Sequence, residues 1–508
     1  MRTVNSIKNI ITSLGGQLLT LLLQFVSRTV FIHTLGVEYL GISGLFTNVI
    51  SILNITELGI GTAIAYSLYK PLAEKDVKRI QANMNLLKKA YFWVGCIIAG
   101  LGLILIPFLP HIMKGTTNLV NVNVIYVLYV FQSVSSYWFF AYKSSLIQAD
   151  QKKFVNNIIR YSVTLLTTVV QIVLLVLFKS FLVYTIIGIT SNLTINVLVA
   201  RKVDKLYPYV KGKNDQILSK EERKSVFKNI FGMSMYKINS VIVSSTDNIV
   251  ISTFISVVAV GFYSNYILIA SSITTIAKLC FSGITASVGN LFASESKKKN
   301  EFIFRCLCFA SFWIYGFCAI CLWILFNPFI TLWVGKDFLL GDSIVLLIVL
   351  NFIMEGYQNI SITFKDACGL FWQGKYRPVA TAILNIVISL ILAPRLGIAG
   401  VLLGTIISRL VTTWWFEPWM VYKYAFNMSS KKYFIRYLFA ITAVILIAGL
   451  IQIMSIPMSE STWLNLLIKA VFCISIPNGV FFLIFRTSDE FKYVLGIVKQ
   501  ITQNRKVN

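Results

Sequence analysis

Long apolar runs dominate the chain, and polar residues fall between them at fairly regular intervals. The first apolar run extends from Ile10 to Ile32, and the others lie near 41–68, 90–109, 123–147, 158–178, 180–200, 230–256, 260–288, 306–333, 343–364, 379–394, 397–420, 437–456 and 463–485. About 20 apolar residues span the hydrocarbon layer as a helix, whereas β-barrel strands alternate apolar with polar residues. The pattern therefore predicts an all-α polytopic membrane protein with about 14 transmembrane helices.

Composition supports this interpretation. Of 508 residues, 56% are hydrophobic and only 13% are charged, whereas soluble domains carry about 25% charged residues. A soluble enzyme with its own core is thereby excluded. The first apolar run exceeds the apolar core of a signal peptide and lacks an A-x-A cleavage site, so we expect it to be retained as the first span.

The formal net charge of +26 is distributed unevenly between the two sides of the predicted spans. With the N-terminus inside, the inside segments hold 35 of the 46 Lys and Arg residues, and the outside loops hold only four. Such an imbalance follows the positive-inside rule and predicts that both termini face the cytoplasm. The basic residues also favour contact with anionic membrane lipids, so a nucleic-acid partner is not expected.

Short sequence matches recur at one spacing. Lys8-Asn9-Ile10 before the first span matches Lys228-Asn229-Ile230 before the seventh, and Leu40-Gly41 matches Val260-Gly261 at the same offset of 220. Because six spans separate the matches, both halves start inside, which predicts two parallel six-helix repeats around a central cavity. The predicted divisions are 1–205 and 229–425 for the six-helix bundles, 206–228 for a cytoplasmic linker, and 426–508 for two additional helices and a tail.

Ionisable side chains at membrane depth are costly and usually face a cavity or a partner. The candidates are the cations Arg28, Lys237, Lys278 and Arg409 and the carboxylates Glu57, Asp247 and Glu355. Residue depth and the repeat offset predict an outer layer of Arg28 with Asp247, and an inner layer of Glu57 with Lys278, which Lys237 would join.

These charges suggest a cavity for an anionic headgroup. Arg binds phosphate through its planar fork and Lys binds it as a point charge, so the four cations are candidate ligands of a pyrophosphate or headgroup. The three carboxylates are candidates for gating or ion coupling. The alternative is that all seven groups pair with one another and only stabilise the bundle. Lys143, Arg160 and Lys469 lie close to span ends, where snorkelling explains them.

Other reactive residues give weaker signals. Two histidines are too few for a histidine metal site, and Cys318-x-x-Cys321 has neither a second cysteine pair nor a nearby histidine. We therefore expect no metal, no cofactor and no catalytic residue. The aromatic patch at 137–140 and the pair Tyr263 and Tyr266 fit packing better than sugar stacking, because Tyr and Trp are abundant throughout the chain.

Several segments resemble one family of membrane proteins. They are Thr29–Phe46 (TVFIHTLGVEYLGISGLF), Glu57–Ile64 (ELGIGTAI), Tyr66–Ala73 (YSLYKPLA), Thr246–Ile251 (TDNIVI) and Gly261–Tyr266 (GFYSNY). The chain resembles Wzx-type polysaccharide flippases of the multidrug/oligosaccharidyl-lipid/polysaccharide exporter superfamily. The resemblance covers the full length, and the first 70 residues are its most specific part.

The resemblance implies a V-shaped twelve-helix core with two added helices in the bacterial plasma membrane. It implies flipping of undecaprenyl-pyrophosphate-linked oligosaccharide units for capsule, exopolysaccharide or O-antigen synthesis, with a polysaccharide polymerase and glycosyltransferases as further partners. A cation-coupled multidrug antiporter and a lipid II flippase are the alternatives within transport. A membrane glycosyltransferase or polymerase would need acid/base residues and a large outside loop, whereas the outside loops here are short.

Overall fold

We describe the protein from a computed structural model. The described residues are 2–57, 60–115, 122–211, 216–282, 295–370, 373–374, 376–458 and 460–504. Within these ranges the regular secondary structure is helical, without strands. This confirms the predicted all-α class, in which each span satisfies its own backbone hydrogen bonds.

The α-helices, numbered in chain order, are α1 (Arg2–Leu35), α2 (Val37–Leu53), α3 (Ile60–Glu74), α4 (Val77–Leu105), α5 (Leu109–Ile112), α6 (Val122–Trp138), α7 (Ser144–Ala149), α8 (Lys153–Phe178), α9 (Phe181–Leu206), α10 (Lys220–Phe254), α11 (Val257–Ser282), α12 (Lys297–Trp333), α13 (Asp342–Ala367), α14 (Arg377–Leu396), α15 (Ile398–Arg409), α16 (Phe416–Met420), α17 (Lys431–Met454), α18 (Trp463–Phe485) and α19 (Asp489–Asn504). Two π-helical segments, Leu410–Trp414 and Val421–Phe426, continue α15 and α16 into one apolar span.

Among the described residues, eleven helices are long and apolar enough to cross a bilayer. A twelfth is added if α6 and the segment Ala141–Ala149 form one bent span. Two shorter apolar helices, α2 and the Val241–Phe254 part of α10, lie in the second and seventh predicted runs. The chain is therefore a multi-pass membrane protein, and the total of fourteen spans stays a prediction.

The chain divides into two compact units, Met1–Gly261 and Phe262–Asn508. In the first unit, α8 packs between α1 and α9, and α4 packs on α6. In the second, α14 and α15 form a helical hairpin that turns at Gly397, and α12 packs on α13. The predicted divisions at 1–205, 206–228, 229–425 and 426–508 are based on the sequence repeat. The two compact units are defined by contacts and do not test that repeat, so the divisions stay predictions.

The last two apolar helices, α17 and α18, pack on α12 within the second unit. Glu490, at the start of α19, forms ion pairs with Arg436 of α17 at 3.0 Å and with Arg305 of α12 at 3.1 Å. Ring contacts such as that between Phe312 and Phe481, with centroids 5.1 Å apart, add apolar packing. A shared carboxylate therefore holds α17 and α12 together beside the apolar contacts.

Two apolar runs of the first unit contain breaks. In the second run, α2 ends at Leu53 and a 3-10 turn, Asn54–Glu57, follows it. In the fourth run, α6 ends at Trp138, Phe140 adopts a left-handed φ of 60°, and the next segment bends away by 48°. A break frees backbone polar groups, which membrane depth tolerates only where protein or water satisfies them. Both breaks therefore indicate a polar environment inside this unit.

Two glycines spaced by the 220-residue offset lie in one tight helix crossing. A Cβ atom on Gly41 of α2 would overlap the carbonyl oxygen of Val257 in α11. A Cβ atom on Gly261 of α11 would lie 2.6 Å from the carbonyl oxygen of Val37 in α2. Val37 and Val257 are separated by the same offset, so the contact is reciprocal. Only glycine at both positions allows the two backbones to approach this closely.

We expect Gly41→Ala and Gly261→Ala each to lower the melting temperature of the purified protein. The added methyl group meets a backbone carbonyl, which no side-chain rotation can move, and overpacking of this kind costs about 1–3 kcal/mol. Gly100→Ala in α4 is the matched control, because nothing lies within 4 Å of its added Cβ. Thermal unfolding in detergent measures the effect, and equal melting temperatures for all three variants would contradict the crossing.

Candidate functional site

The predicted site residues fall in both units. Arg28 (α1), Glu57 (the break before α3) and Asp247 (α10) lie in the first unit, and Lys278 (α11), Glu355 (α13) and Arg409 (α15) lie in the second. Lys237 lies on α10 at a position whose side chain is outside the described residues.

An ion pair in the second unit joins Lys278 to Glu355. The Lys278 Nζ donates a hydrogen bond to Glu355 Oε1 at 2.6 Å, and the two side chains remain 46% and 41% exposed. Glu355 lies at the middle of the 26-residue helix α13. Lipid contact with charges at such a position is unfavourable, so their exposed surface is expected to face water or a polar ligand.

Arg409 adds a second cation beside this pair. Its guanidinium interacts electrostatically with Glu355, and its Nη1 donates to the carbonyl oxygen of Asn351, one turn earlier on α13, at 3.4 Å. A guanidinium has five N–H donors, so Arg409 keeps donors for an anion after this contact. We call Lys278, Glu355 and Arg409 the charge cluster, which carries a net charge of +1.

The partner of Lys278 differs from the prediction. The predicted inner layer combined Lys278 with Glu57, whereas the structure pairs Lys278 with Glu355. Residue number estimates how deep a side chain lies, but it does not give the direction in which the side chain leaves the helix. Pairing, the alternative for these charges, therefore applies to Lys278 and Glu355, although the pair stays accessible.

Arg28 is half-buried on α1 and lies near Tyr184 of α9. The neighbouring Ser27 Oγ lies 3.5 Å from the Tyr184 hydroxyl, and the Phe31 ring meets the Tyr184 ring edge-on at 5.1 Å. Asp247 is half-buried on α10. The outer layer of Arg28 with Asp247 stays a prediction.

Two lysines that were expected to snorkel are buried. Lys143 lies just after the bend in the fourth run and forms an ion pair with Asp204 of α9 at 2.5 Å, with 8% of its side chain exposed. Lys469 on α18 is also buried. Burial of Lys143 depends on a carboxylate supplied by another helix, and proximity to a span end does not reveal such a partner.

A polar cavity of about 240 Å³ lies beside Glu57 in the first unit. The Tyr91 hydroxyl donates to Glu57 Oε1 at 3.4 Å, and the rings of Tyr91 and Tyr137 meet edge-on at 5.6 Å. The two helix breaks contribute Glu57 and Phe140 to the lining. We call this space the Glu57 cavity.

Two adjacent helices contribute four further polar residues to the lining of the Glu57 cavity: Asn156 and Arg160 of α8, and Asn192 and Asn196 of α9. None of them was predicted as a site residue, and Arg160 was interpreted as snorkelling. Within each helix the two residues are four positions apart, which places both side chains on one face. Two polar residues four positions apart, on each of two consecutive spans, indicate a shared polar surface. A search restricted to charged residues does not find this pattern.

The cysteines and histidines occupy other places. Cys318 and Cys321 both lie on α12, and Cys321 lies within hydrogen-bonding reach of Cys473 on α18. Across the part of the chain that the structure describes, no group of three His, Cys, Asp or Glu side chains is arranged to hold a metal.

Many apolar spans, exposed charges at mid-span and a polar cavity are together typical of polytopic membrane transporters. No family model and no curated protein matches the sequence. The structure of the lipid II flippase MurJ in an inward closed conformation is similar, with a TM-score of 0.66 and 14% identity over 94% of this chain and 99% of that chain.

Multidrug transporters share the same architecture. An inward-facing MATE family transporter of the MOP superfamily gives a TM-score of 0.60 at 14% identity, covering 79% of this chain and 95% of that chain. A mutant of the Vibrio cholerae MATE transporter VcmN gives 0.55 at 12% identity, covering 84% and 97%. At these identities the similarity establishes the fold alone, which this chain shares with the MurJ and MATE transporter structures. The more specific resemblance to Wzx-type members stays an expectation from the sequence.

We expect Lys278→Ala and Glu355→Ala each to lower the melting temperature, because charges at membrane depth are costly when they lose a partner. Glu355→Ala leaves two cations without their carboxylate, and Lys278→Ala leaves Arg409 as the remaining cation of the charge cluster beside Glu355. The double variant should lose less than the sum of the two single losses. Because both side chains are half-exposed, we expect a coupling energy of only about 0.5–1.5 kcal/mol. A double-mutant cycle by thermal unfolding measures it, and strictly additive losses would show that the ion pair contributes nothing.

Proposed function

We propose that the protein is a flippase for undecaprenyl-pyrophosphate-linked oligosaccharide repeat units. It would move them from the cytoplasmic to the outer leaflet of the bacterial plasma membrane, for capsule, exopolysaccharide or O-antigen synthesis. The observation that carries this proposal is the charge cluster, in which Lys278 and Glu355 are paired yet nearly half-exposed, Arg409 lies beside them, and Glu355 is at the middle of α13. A MOP-superfamily fold supports it as well.

The physical problem for such a protein is the headgroup. A pyrophosphate cannot enter about 30 Å of hydrocarbon unaided, because an uncompensated charge there costs tens of kcal/mol. Lys278 and Arg409, together with Arg28 and Lys237, would replace its hydration, since Arg forms bidentate contacts with phosphate oxygens and Lys supplies a mobile point charge. The isoprenoid tail would remain in lipid throughout.

The proposed mechanism is alternating access without covalent chemistry, so the protein is not expected to be an enzyme. The headgroup would enter from the cytoplasmic side, on which the distribution of Lys and Arg predicts both termini to lie, and would leave on the outside. Glu57, Asp247 and Glu355 would gate the cavity or couple an ion. Glycosyltransferases would supply the lipid-linked unit, and a polymerase would consume it.

Two other transport functions compete with this one. A lipid II flippase would bind the same pyrophosphate, and similarity to the MurJ structure over 94% of this chain favours it as the second candidate. A cation-coupled drug antiporter would use a cavity dominated by carboxylates. The excess of cations in the charge cluster argues against the antiporter.

Deletion of the gene in the source organism is expected to abolish surface polysaccharide while complete lipid-linked repeat units accumulate on the cytoplasmic side. The measurement is extraction of lipid-linked intermediates, with their sidedness probed in sealed membrane vesicles of both orientations. Accumulation of lipid II with loss of cell-wall integrity would support the second candidate instead. Intact polysaccharide with increased sensitivity to cationic drugs would support the antiporter.

Complementation with variants tests the cationic site. Arg28→Ala and Lys278→Ala should each reduce polysaccharide export at least tenfold, because the pyrophosphate would lose a ligand. Lys336→Ala is the matched control, since Lys336 is exposed in a short 3-10 turn after α12. Membrane-protein levels are measured in parallel by immunoblot. Normal export in both site variants would reject the cationic cavity as the pyrophosphate site.

A further inference from the structure

The Glu57 cavity is polar in a way that the pyrophosphate site does not explain. It lies within the first unit among α4, α6, α8 and α9, beside the break that carries Glu57. Its lining contains one carboxylate and one guanidinium, together with three carboxamides, serine hydroxyls and two phenols. Polar groups of this variety inside a membrane helix bundle are costly unless a ligand or water satisfies them.

The four polar residues of α8 and α9 in this lining have unused hydrogen-bonding groups. Within the described part of the chain, the side chains of Asn156, Arg160, Asn192 and Asn196 form neither a hydrogen bond nor an ion pair. The neighbouring Asn157 differs from them, because its side chain donates to Ser13 at 2.9 Å. The four side chains therefore present open donors and acceptors to the cavity.

Helix geometry directs these groups to one space. Asn156 and Arg160 share a face of α8, and Asn192 and Asn196 share a face of α9, since each pair is spaced by four residues. Because α8 and α9 pack against each other, their polar faces flank the same cavity. The same lining holds Tyr91 of α4 and Tyr137 of α6, whose rings stand at 88° to each other.

The chemistry of the lining selects among ligands. A carboxamide both donates and accepts hydrogen bonds, which matches the hydroxyl groups of a sugar, and an aromatic face can pack on a sugar ring. A metal cation would favour several carboxylates, but among the described residues Glu57 is the only carboxylate in this lining. A pyrophosphate would favour several cations, and Glu57 would repel it. The volume of about 240 Å³ is below the roughly 300 Å³ at which pockets for drug-sized ligands begin.

We propose that the Glu57 cavity is a sugar-recognition subsite that binds one neutral pyranose ring of the oligosaccharide headgroup. Asn156, Asn192 and Asn196 hydrogen-bond its hydroxyl groups, Arg160 donates to its oxygens, and the Glu57 carboxylate accepts from a hydroxyl. This inference rests on the proposed function, because it specifies which part of the same substrate the first unit recognises. Substrate selection then depends on sugars as well as on the pyrophosphate.

The test compares two lipid probes on the purified full-length protein in lipid nanodiscs. The probes are undecaprenyl pyrophosphate and undecaprenyl pyrophosphate carrying a single hexose or N-acetylhexosamine, taken from a panel of such sugars. We expect at least one sugar-bearing probe to bind the wild-type protein tenfold or more tightly than the bare lipid. Equal affinity for the bare lipid and every member of the panel would overturn the subsite without the use of any variant.

Variants of the cavity then test whether Asn192 and Asn196 are responsible for the preference for sugar-bearing lipid. The double variant Asn192→Leu, Asn196→Leu should remove the tenfold preference and leave the affinity for bare undecaprenyl pyrophosphate unchanged. Thr194→Leu is the matched control on the same helix, because Thr194 is exposed and its hydroxyl bonds only to Thr190 of its own helix. Loss of affinity for both probes to the same extent would overturn the assignment. If the double variant does not fold, the single change Asn196→Ser replaces it.

Two further measurements distinguish the sugar subsite from a cation site and from failure of the proposed function. Sodium titration without lipid tests a cation site: sodium binding that is lost in the asparagine variants, with no sugar preference, would overturn the proposal. Failure of the proposed function looks different, because then neither probe binds the wild-type protein and Lys278→Ala changes nothing. Binding of free monosaccharides with the same preference, competed by the lipid-linked probe, would support the subsite and show that it recognises the sugar itself.

Discussion

A charged side chain inside or at the edge of the hydrocarbon layer is stable only when it is paired or hydrated, and both units follow this constraint. Lys143 and Asp204 illustrate the closed solution, in which a buried lysine is neutralised by a neighbouring helix. Lys278 and Glu355 illustrate the open one, because they are paired and still nearly half-exposed. An ion pair that stays exposed can therefore contact a ligand, whereas a buried ion pair only joins helices. Charge alone does not distinguish the two cases.

The helices were predictable because hydropathy is a local property. Even the short run at 379–394 corresponds to a helix, Arg377–Leu396, since each apolar segment must satisfy its own backbone. The breaks at Asn54–Glu57 and around Phe140 were not predictable, because what permits them is polar lining from other helices. The partner of Lys278 was missed for a related reason: depth follows from residue number, whereas direction around the helix axis depends on packing.

The candidate site was predicted in part. Charged residues attract attention because their desolvation is expensive, and this criterion selected Glu57, Glu355 and Lys278. Asn192 and Asn196 are neutral, so they raise the cost of a span only slightly and do not stand out in a search for charge. Their spacing of four residues was nevertheless visible in the sequence. The position of Arg160 near a span end is enough to explain its charge by snorkelling. Only the structure shows that Arg160 lies beside Asn156, Asn192 and Asn196.

The contacts at the glycine crossing of α2 and α11 are reciprocal, which bears on how such a chain can evolve. Gly41 meets Val257 while Gly261 meets Val37, and each residue is 220 positions from its counterpart. Two identical subunits related by a two-fold axis form contacts of this reciprocal kind, in which the same surface serves both partners. The crossing thus contains, within the first unit, a reciprocal pair of contacts of the kind that a homodimer interface has. A gene encoding a single half would already specify both sides of it, so duplication and fusion would preserve this contact without requiring a new one.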